Sequence, residues 1–165
     1  MIIIQARTTS VRFPDKILTQ VNGKKLIDYS IDSAILSGIP FVVAIPEHDT
    51  KLMDYLEFRR IPYYCGSEDD VLDRFYCCAA NYRANIIIRL CADTLYTKDD
   101  ILEQLELYKK RQKFTYGNGV YICSFNELKD AWKNAKGSHR EHVTTYLYKS
   151  VDYPGDLERA PITDN

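Results

Sequence analysis

The sequence predicts an α/β fold of three layers, in which helices cover both faces of a mostly parallel sheet. Along its 165 residues, unbroken runs of apolar, β-prone residues alternate with segments that carry apolar residues at helical spacing. Unbroken apolar runs are typical of strands buried on both faces, and their alternation with amphipathic helices favours a parallel sheet. The length suits one domain, which we expect over residues 1–153, followed by a Pro- and Gly-containing tail over residues 154–165.

Each element has its own local signal. Strands are predicted for the apolar runs at residues 1–4, 41–45, 85–90 and 120–125. Helices are predicted where one face collects apolar residues, at residues 26–35, 52–56, 71–79, 101–108 and 128–135. Gly38 and Pro40 mark the end of the first helix. Two Ser-to-Glu pairs at a spacing of three residues, Ser124–Glu127 and Ser138–Glu141, fit the capping box that begins a helix.

Composition narrows the class of protein. Lys and Arg number 22 against 23 Asp and Glu, for a net charge of −1, so a non-specific nucleic-acid binder is disfavoured. The apolar stretches are too short to cross a bilayer, and the opening MIII has neither the basic start nor the cleavage site of a signal peptide. Five cysteines without a C-x-x-C pair indicate reduced thiols. We therefore expect a cytoplasmic protein that binds neither membrane nor nucleic acid.

The loop after the first strand is rich in groups that bind anions. Arg7, Arg12 and Lys16 lie within ten residues, with hydroxyl side chains between them. In open α/β sheets, ligands bind beyond the carboxyl ends of the strands, where this loop begins. Arginine forks, a lysine and hydroxyl donors suit a polyphosphate, although the loop matches neither the P-loop nor the G-x-G-x-x-G pattern. The alternative is a solvated loop whose cations pair with surface acids.

An acidic residue follows a later strand at the same predicted edge. Asp93 comes directly after the run at residues 85–90. If the first and fourth strands are neighbours, as at a topological switch point, Asp93 faces the loop cations. Mg²⁺ is commonly held by one or two carboxylates together with substrate phosphates. The alternative is an ordinary turn or helix-capping residue.

Five segments in order resemble a known family. They are QARTTSVRFPDK (residues 5–16), VNGKKL (21–26), CGSEDDVLDR (65–74), RLCAD (89–93) and SHREHVT (138–144). The first is similar to the Q-A-R-x-x-S-x-R-x-P-x-K signature of the cytidylyltransferases. The others resemble the family's G-G-K-P-L, G-S-E-x-D-V-L-D-R, R-x-x-G-D and S-x-R-E-H-V-T segments. The resemblance is strongest to the spore-coat polysaccharide branch, which is related to the acylneuraminate and keto-deoxy-octulosonate cytidylyltransferases.

This resemblance implies a Rossmann-like nucleotidyltransferase fold and the transfer of CMP from CTP to a sugar acid or related acceptor, with Mg²⁺ and release of pyrophosphate. It implies that Arg7, Lys16 and Asp93 are catalytic and that Asp93 holds the metal. The implied nucleotide-binding residues are Gln5, Ala6, Arg7, Ser10, Arg12, Lys16, Gly66, Ser67, Asp70 and Arg89. The implied acceptor-binding residues are Arg140, Glu141 and His142.

Some departures from the family pattern keep other functions open. Ala92 replaces the Gly before Asp93, two acids are absent near residues 117–121, and the resemblance implies a chain shortened at its C-terminus, where Asp164 stands in the remaining segment. One alternative is therefore a shortened relative that binds a nucleotide without catalysis. For the acidic block, an Asp70–Arg74 pair at i,i+4 spacing would also explain the sequence. Another alternative is a nucleotidyltransferase with a different base, because the first loop contacts phosphates and does not select cytosine. Relatives are often dimers, so a homodimer is possible.

Overall fold

The architecture is taken from a computed structural model, which describes residues 1–10 and 12–150. The predicted domain end at residue 153 and the predicted tail lie outside these residues.

Strands and helices alternate through the described part of the chain. The strands are Ile2–Gln5 (β1), Gln20–Val21 (β2), Lys24–Lys25 (β3), Phe41–Pro46 (β4), Tyr63–Gly66 (β5), Ile86–Cys91 (β6), Thr115–Gly117 (β7) and Val120–Ser124 (β8). The α-helices are Leu26–Ser37 (α1), Thr50–Phe58 (α2), Val71–Asn81 (α3), Lys98–Arg111 (α4), Phe125–Asn134 (α5) and Ser138–Glu141 (α6). Two 3₁₀ turns cover Lys16–Leu18 and Leu147–Ser150.

The main sheet is mixed but mostly parallel. Its order is β5-β4-β1-β6-β8-β7, and β2 and β3 form a separate hairpin. The strands β5, β4, β1 and β6 are parallel, whereas β8 is antiparallel to β6 and β7 is antiparallel to β8. The chain builds from β1 to β4 and β5, then crosses back to place β6 on the other side of β1. The switch point therefore lies between β1 and β6. In chain order these are the first and fourth strands of the main sheet, and they are neighbours as predicted.

Two apolar layers enclose the sheet. Side chains of β1 alternate between them: Ile2 and Ile4 pack with α1, α2 and α4, whereas Ile3 packs with α3 and α5. All three are fully buried, as is β4 from Val42 to Ile45. The three-layer α/β prediction is confirmed, and the unbroken runs arise because both faces of these strands are covered.

The local predictions have mixed outcomes. The four predicted strands and five predicted helices are present, and both hydrogen bonds of the predicted Ser124–Glu127 capping box are formed. The Ser138–Glu141 capping box is wrong: Gly137 is the N-cap of α6, and no side chain caps this helix. The short strands β5 and β7 and the β2–β3 hairpin were not predicted.

Candidate active site

Two adjoining cavities lie at the carboxyl ends of β1 and β6. The inner cavity, of about 240 Å³, is lined by Gln5, Ala6, Arg7, Ser10, Lys16, Ile17, Cys91 and Asp93. The outer cavity, of about 790 Å³, is lined by Arg7, Ser10, Arg12, Phe13, Lys16, Asp93, Glu141 and His142. Because four lining residues are common to both, the cavities form one cleft. This cleft lies at the switch point, where open α/β sheets bind ligands.

The loop that follows β1, here called the first loop (residues 6–16), is held in place by a buried carboxylate. The backbone N–H of Thr8 donates to Asp49 Oδ2 at 2.7 Å, and its hydroxyl donates to Asp49 Oδ1 at 2.6 Å. Asp49 is buried, and it also caps α2 by accepting from the N–H of Leu52. Arg7 and Arg12, by contrast, are exposed. The buried anchor fixes the backbone of the loop, so that its charged side chains can face the cleft.

The loop that carries Asp93 is held by helix α1. The hydroxyl of Ser30 donates to the carbonyls of Cys91 and Thr94, each at 3.1 Å, and the hydroxyl of Ser33 donates to the carbonyl of Tyr96 at 2.6 Å. Both serines are buried. These bonds satisfy loop carbonyls that would otherwise be costly to bury. The serines thereby fix the path of the chain on either side of Asp93.

Asp93 and the first loop meet across the cleft. Lys16 Nζ lies 2.9 Å from Asp93 Oδ2, and both side chains are nearly half exposed. Asp93 lies in a turn, as one alternative expected, but it is not a helix cap, because Thr97 caps α4 through a complete capping box. An exposed pair of this kind contributes little to stability. Its importance is the placement of a cation and a carboxylate side by side at the switch point.

The carboxylate of Asp93 suits a metal ion that takes its other ligands from a bound substrate and from water. Within residues 1–10 and 12–150, no cluster of three or more His, Cys, Asp or Glu side chains is placed to hold an ion. Asp93 is the carboxylate of the inner cavity. A single hard oxygen donor suits Mg²⁺, which often takes its remaining ligands from phosphates and water.

Gly66 and Ser67 lie over a buried arginine. Arg74 is fully buried, and its Nη1 donates to the carbonyl of Ser67 at 2.6 Å. Burial, together with repulsion from Arg7, lowers the pKa of Arg74 to about 10. A Cβ on Gly66, the last residue of β5, would lie 2.9 Å from Arg74 Cγ, so only glycine lets the strand end pack on this side chain. The alternative of an Asp70–Arg74 ion pair is not found, because Arg74 points inward to Ser67.

The segment with the predicted acceptor residues is tied to helix α3. Arg140 donates through Nε and Nη2 to Asp70 Oδ2, at 2.8 and 2.5 Å, and through Nη1 to the carbonyl of Trp132. Glu141 and His142, which follow, line the outer cavity. Asp70 also caps α3 by accepting from the N–H of Asp73. The ion pair therefore positions the predicted acceptor-binding segment against the cleft.

Many of the residues that line this cleft were predicted from the sequence, but the buried residues that hold its loops in place were not. Of the predicted residues, Gln5, Ala6, Arg7, Ser10, Arg12, Lys16, Asp93, Glu141 and His142 line the two cavities, whereas Gly66, Ser67, Asp70, Arg89 and Arg140 do not. Phe13, Ile17 and Cys91 were not predicted. Cys91 lies opposite Gln5 in the β1–β6 register, so correct pairing of these strands would have found it. Asp49, Ser30 and Ser33 left no comparable signal in the sequence.

A protein-family model described as cytidylyltransferase matches residues 1–160. The chain belongs to the cytidylyltransferase family. An uncharacterized protein of Methanocaldococcus jannaschii is 30% identical over 161 residues, and the match covers 90% of this chain and 66% of that protein. The spore coat polysaccharide biosynthesis protein SpsF of Bacillus subtilis is 27% identical, and the match covers 89% of this chain and 69% of SpsF. This cytidylyltransferase-family chain thus spans about two thirds of the length of these relatives.

Solved structures of cytidylyltransferases have the same fold. A cytidylyltransferase from Leptospira borgpetersenii superposes with a TM-score of 0.80 at 23% identity, covering 90% of this chain and 70% of that one. A CMP:2-keto-3-deoxy-manno-octonic acid synthetase complexed with CTP superposes with a TM-score of 0.73 at 16% identity, covering 95% and 94%. The Rossmann-like nucleotidyltransferase fold is therefore confirmed. Among the described helices, none has the length and apolar character needed to span a membrane.

Proposed function

We propose that this chain binds the Mg²⁺ complex of CTP in the cleft between β1 and β6 and transfers CMP to an oxygen of a sugar acid, releasing pyrophosphate. The observation that carries the proposal is that Arg7 and Lys16 line the same cavity as Asp93, with Lys16 Nζ 2.9 Å from the Asp93 carboxylate. The family supports nucleotidyl transfer, and the synthetase complexed with CTP supports the choice of nucleotide. The SpsF relative supports a role in polysaccharide precursor synthesis.

The first loop would hold the triphosphate. Arg7 offers a planar fork to phosphate oxygens, Lys16 offers a point charge, and the hydroxyl of Ser10 donates a hydrogen bond. Arg12 lines only the outer cavity, so it would contact the outer part of the ligand. These groups stabilise charge that moves onto the pyrophosphate as it leaves. Phosphoryl-type transfer depends mainly on such positioning and electrostatics.

Asp93 would hold Mg²⁺ together with the phosphates. When bound, the metal neutralises charge on the reacting phosphate oxygens. Lys16, now paired with Asp93, would instead balance phosphate charge. Glu141 and His142 would contact the acceptor from the outer cavity, and Arg140 would hold them in place through Asp70.

A second candidate is nucleotide binding without turnover. It is favoured by the presence of only one carboxylate, Asp93, among the described residues that line the inner cavity. In this case the chain would bind CTP but release no pyrophosphate. A chain that binds another nucleoside triphosphate more tightly would instead be a nucleotidyltransferase with a different base.

The test is pyrophosphate release with CTP, Mg²⁺ and a panel of sugar acids that includes 2-keto-3-deoxy-manno-octonic acid. We expect release only when all three components are present, and we expect UTP, ATP and GTP to be poor substitutes for CTP. Reactions without acceptor serve as the control. Bound CTP without release under any acceptor would support the second candidate, and release without Mg²⁺ would contradict the metal role.

A further inference from the structure

The inner cavity ends against a glutamine held by an arginine. Arg89 Nε and Nη2 both donate to Gln5 Oε1, at 3.0 and 2.8 Å. Gln5 is the last residue of β1 and lines the inner cavity. Arg89, on the neighbouring strand β6, does not line it. The family resemblance implied that both residues bind the nucleotide, yet of the two only Gln5 lines the cavity.

This contact fixes which way the Gln5 amide faces. A guanidinium has only donors, so the amide atom that faces Arg89 must be the oxygen. The amide nitrogen then points away from Arg89 with two N–H donors. Within the described residues, no group accepts from that nitrogen, and it is not among the buried unpartnered atoms. Gln5 therefore offers donors, and no acceptor, to the cavity.

Arg89 is itself held in place by an aromatic ring and has no carboxylate partner among the described residues. Its guanidinium lies 4.8 Å from the centre of the Tyr121 ring, which stacks on Tyr116 at 4.5 Å. Although burial opposes the charge, Cys91, Tyr121 and Tyr96 raise the pKa of Arg89 above its ordinary value. None of the ion pairs found in the described part of the chain includes Arg89. Because Arg89 is partly exposed and does not line the inner cavity, its effect on a ligand would be to orient the Gln5 amide.

We infer that Gln5 binds an anionic oxygen of the ligand at the inner end of the cleft, and that Arg89 is the positioning residue that turns the Gln5 amide to donate. The inference rests on the proposed function in taking this cleft as the ligand site. The oxygen would belong either to a phosphate of the nucleotide or to the carboxylate of the acceptor. Both present the same chemistry to two N–H donors.

The first test observes the Gln5 side chain directly. In ¹⁵N-labelled protein, the side-chain amide signal of Gln5 is assigned by its loss in Gln5→Glu. We expect this signal to shift on titration with sodium pyrophosphate or CTP if the oxygen is a phosphate, and with 2-keto-3-deoxy-manno-octonic acid if it is the carboxylate. The amide of Gln112, at the exposed end of α4, is the internal control and should not shift.

The second test separates binding from folding. Gln5→Glu places a carboxylate against Arg89, so we expect an unchanged or higher melting temperature. The same change removes both donors and adds a negative charge, so binding of the probe that shifts Gln5 should weaken about 10- to 100-fold. Arg89→Met should also weaken that binding, because the amide is free to turn. Gln112→Glu is the matched control and should bind as the wild type does.

The outcomes distinguish this inference from the proposed function. A Gln5 amide that does not respond to any of the three probes overturns the inference. If calorimetry shows that CTP still binds, the proposed function stands without it. If calorimetry shows no binding of CTP, both fail together. Unchanged affinity of every probe in Gln5→Glu would likewise overturn the inference.

Discussion

Replacing Asp93 with asparagine is expected to lower kcat/KM for pyrophosphate release by about a hundred- to a thousandfold. Asp93 is the carboxylate of the inner cavity, so the change removes the charged oxygen donor proposed for Mg²⁺. Asparagine keeps the size of the side chain, and the pair with Lys16 is exposed, so the free energy of unfolding should change little. Steady-state release of pyrophosphate at several Mg²⁺ concentrations measures the effect.

The control for this prediction is Asp99→Asn, which removes an exposed carboxylate from the first turn of α4, six residues further along the chain. It should retain wild-type activity. Activity of Asp93→Asn within about threefold of the wild type, at the same Mg²⁺ dependence, would show that Asp93 is not the metal ligand.

Replacing Arg7 with alanine is expected to weaken CTP binding about 10- to 100-fold, as expected for loss of charged hydrogen bonds to phosphate. Arg7 is exposed, lines both cavities and makes no ion pair within the described residues. Its removal should therefore leave the free energy of unfolding nearly unchanged. Arg7→Lys should recover only part of the affinity, because lysine lacks the planar fork. Isothermal titration calorimetry gives the dissociation constants.

Lys129→Ala is the control for Arg7, since it removes an exposed cation from α5, an element that does not line the cleft. It should bind CTP as the wild type does. Equal affinity of Arg7→Ala and Lys129→Ala would contradict the proposed role of the first loop.

Regular elements with strong patterns were predictable. β1 and β4 were found because they are apolar on both faces, and α5 was found because Ser124 and Glu127 cap it. β5 was missed because its side chains are only half buried, which leaves neither an unbroken run nor an alternation. α6 does not begin as predicted, because Gly137, with a φ of 56°, turns the chain into the helix without a side-chain cap.

The cleft was predictable in part because both of its sides follow strands. The first loop follows β1 and Asp93 follows β6, and parallel neighbours bring their carboxyl ends to one edge. Pairings between residues far apart in the sequence were not predictable. Asp70 has Arg74 one helical turn away, yet it pairs with Arg140, seventy positions along the chain. The reason is that Arg74 is fully buried and bonds to the carbonyl of Ser67 instead.

The residues that hold the loops and side chains of the site in place were the hardest to predict from the sequence. Ser30 and Ser33 lie on the buried face of α1, where small polar residues are compatible with many roles. Only the arrival of the Asp93 loop over that face shows that they bind its carbonyls. In the same way, the role of Arg89 depends on the β1–β6 register, which brings it within reach of Gln5.

We propose that the cleft between β1 and β6 binds CTP through its first-loop cations and a metal held by Asp93. Calorimetric titration with CTP, UTP, ATP and GTP, each with and without Mg²⁺, measures this binding and its dependence on the metal. We expect CTP to bind more tightly than the other three nucleotides and Mg²⁺ to increase the affinity for CTP. Failure to bind any of the four nucleotides, or CTP affinity that is the same with and without Mg²⁺, would contradict the proposed site.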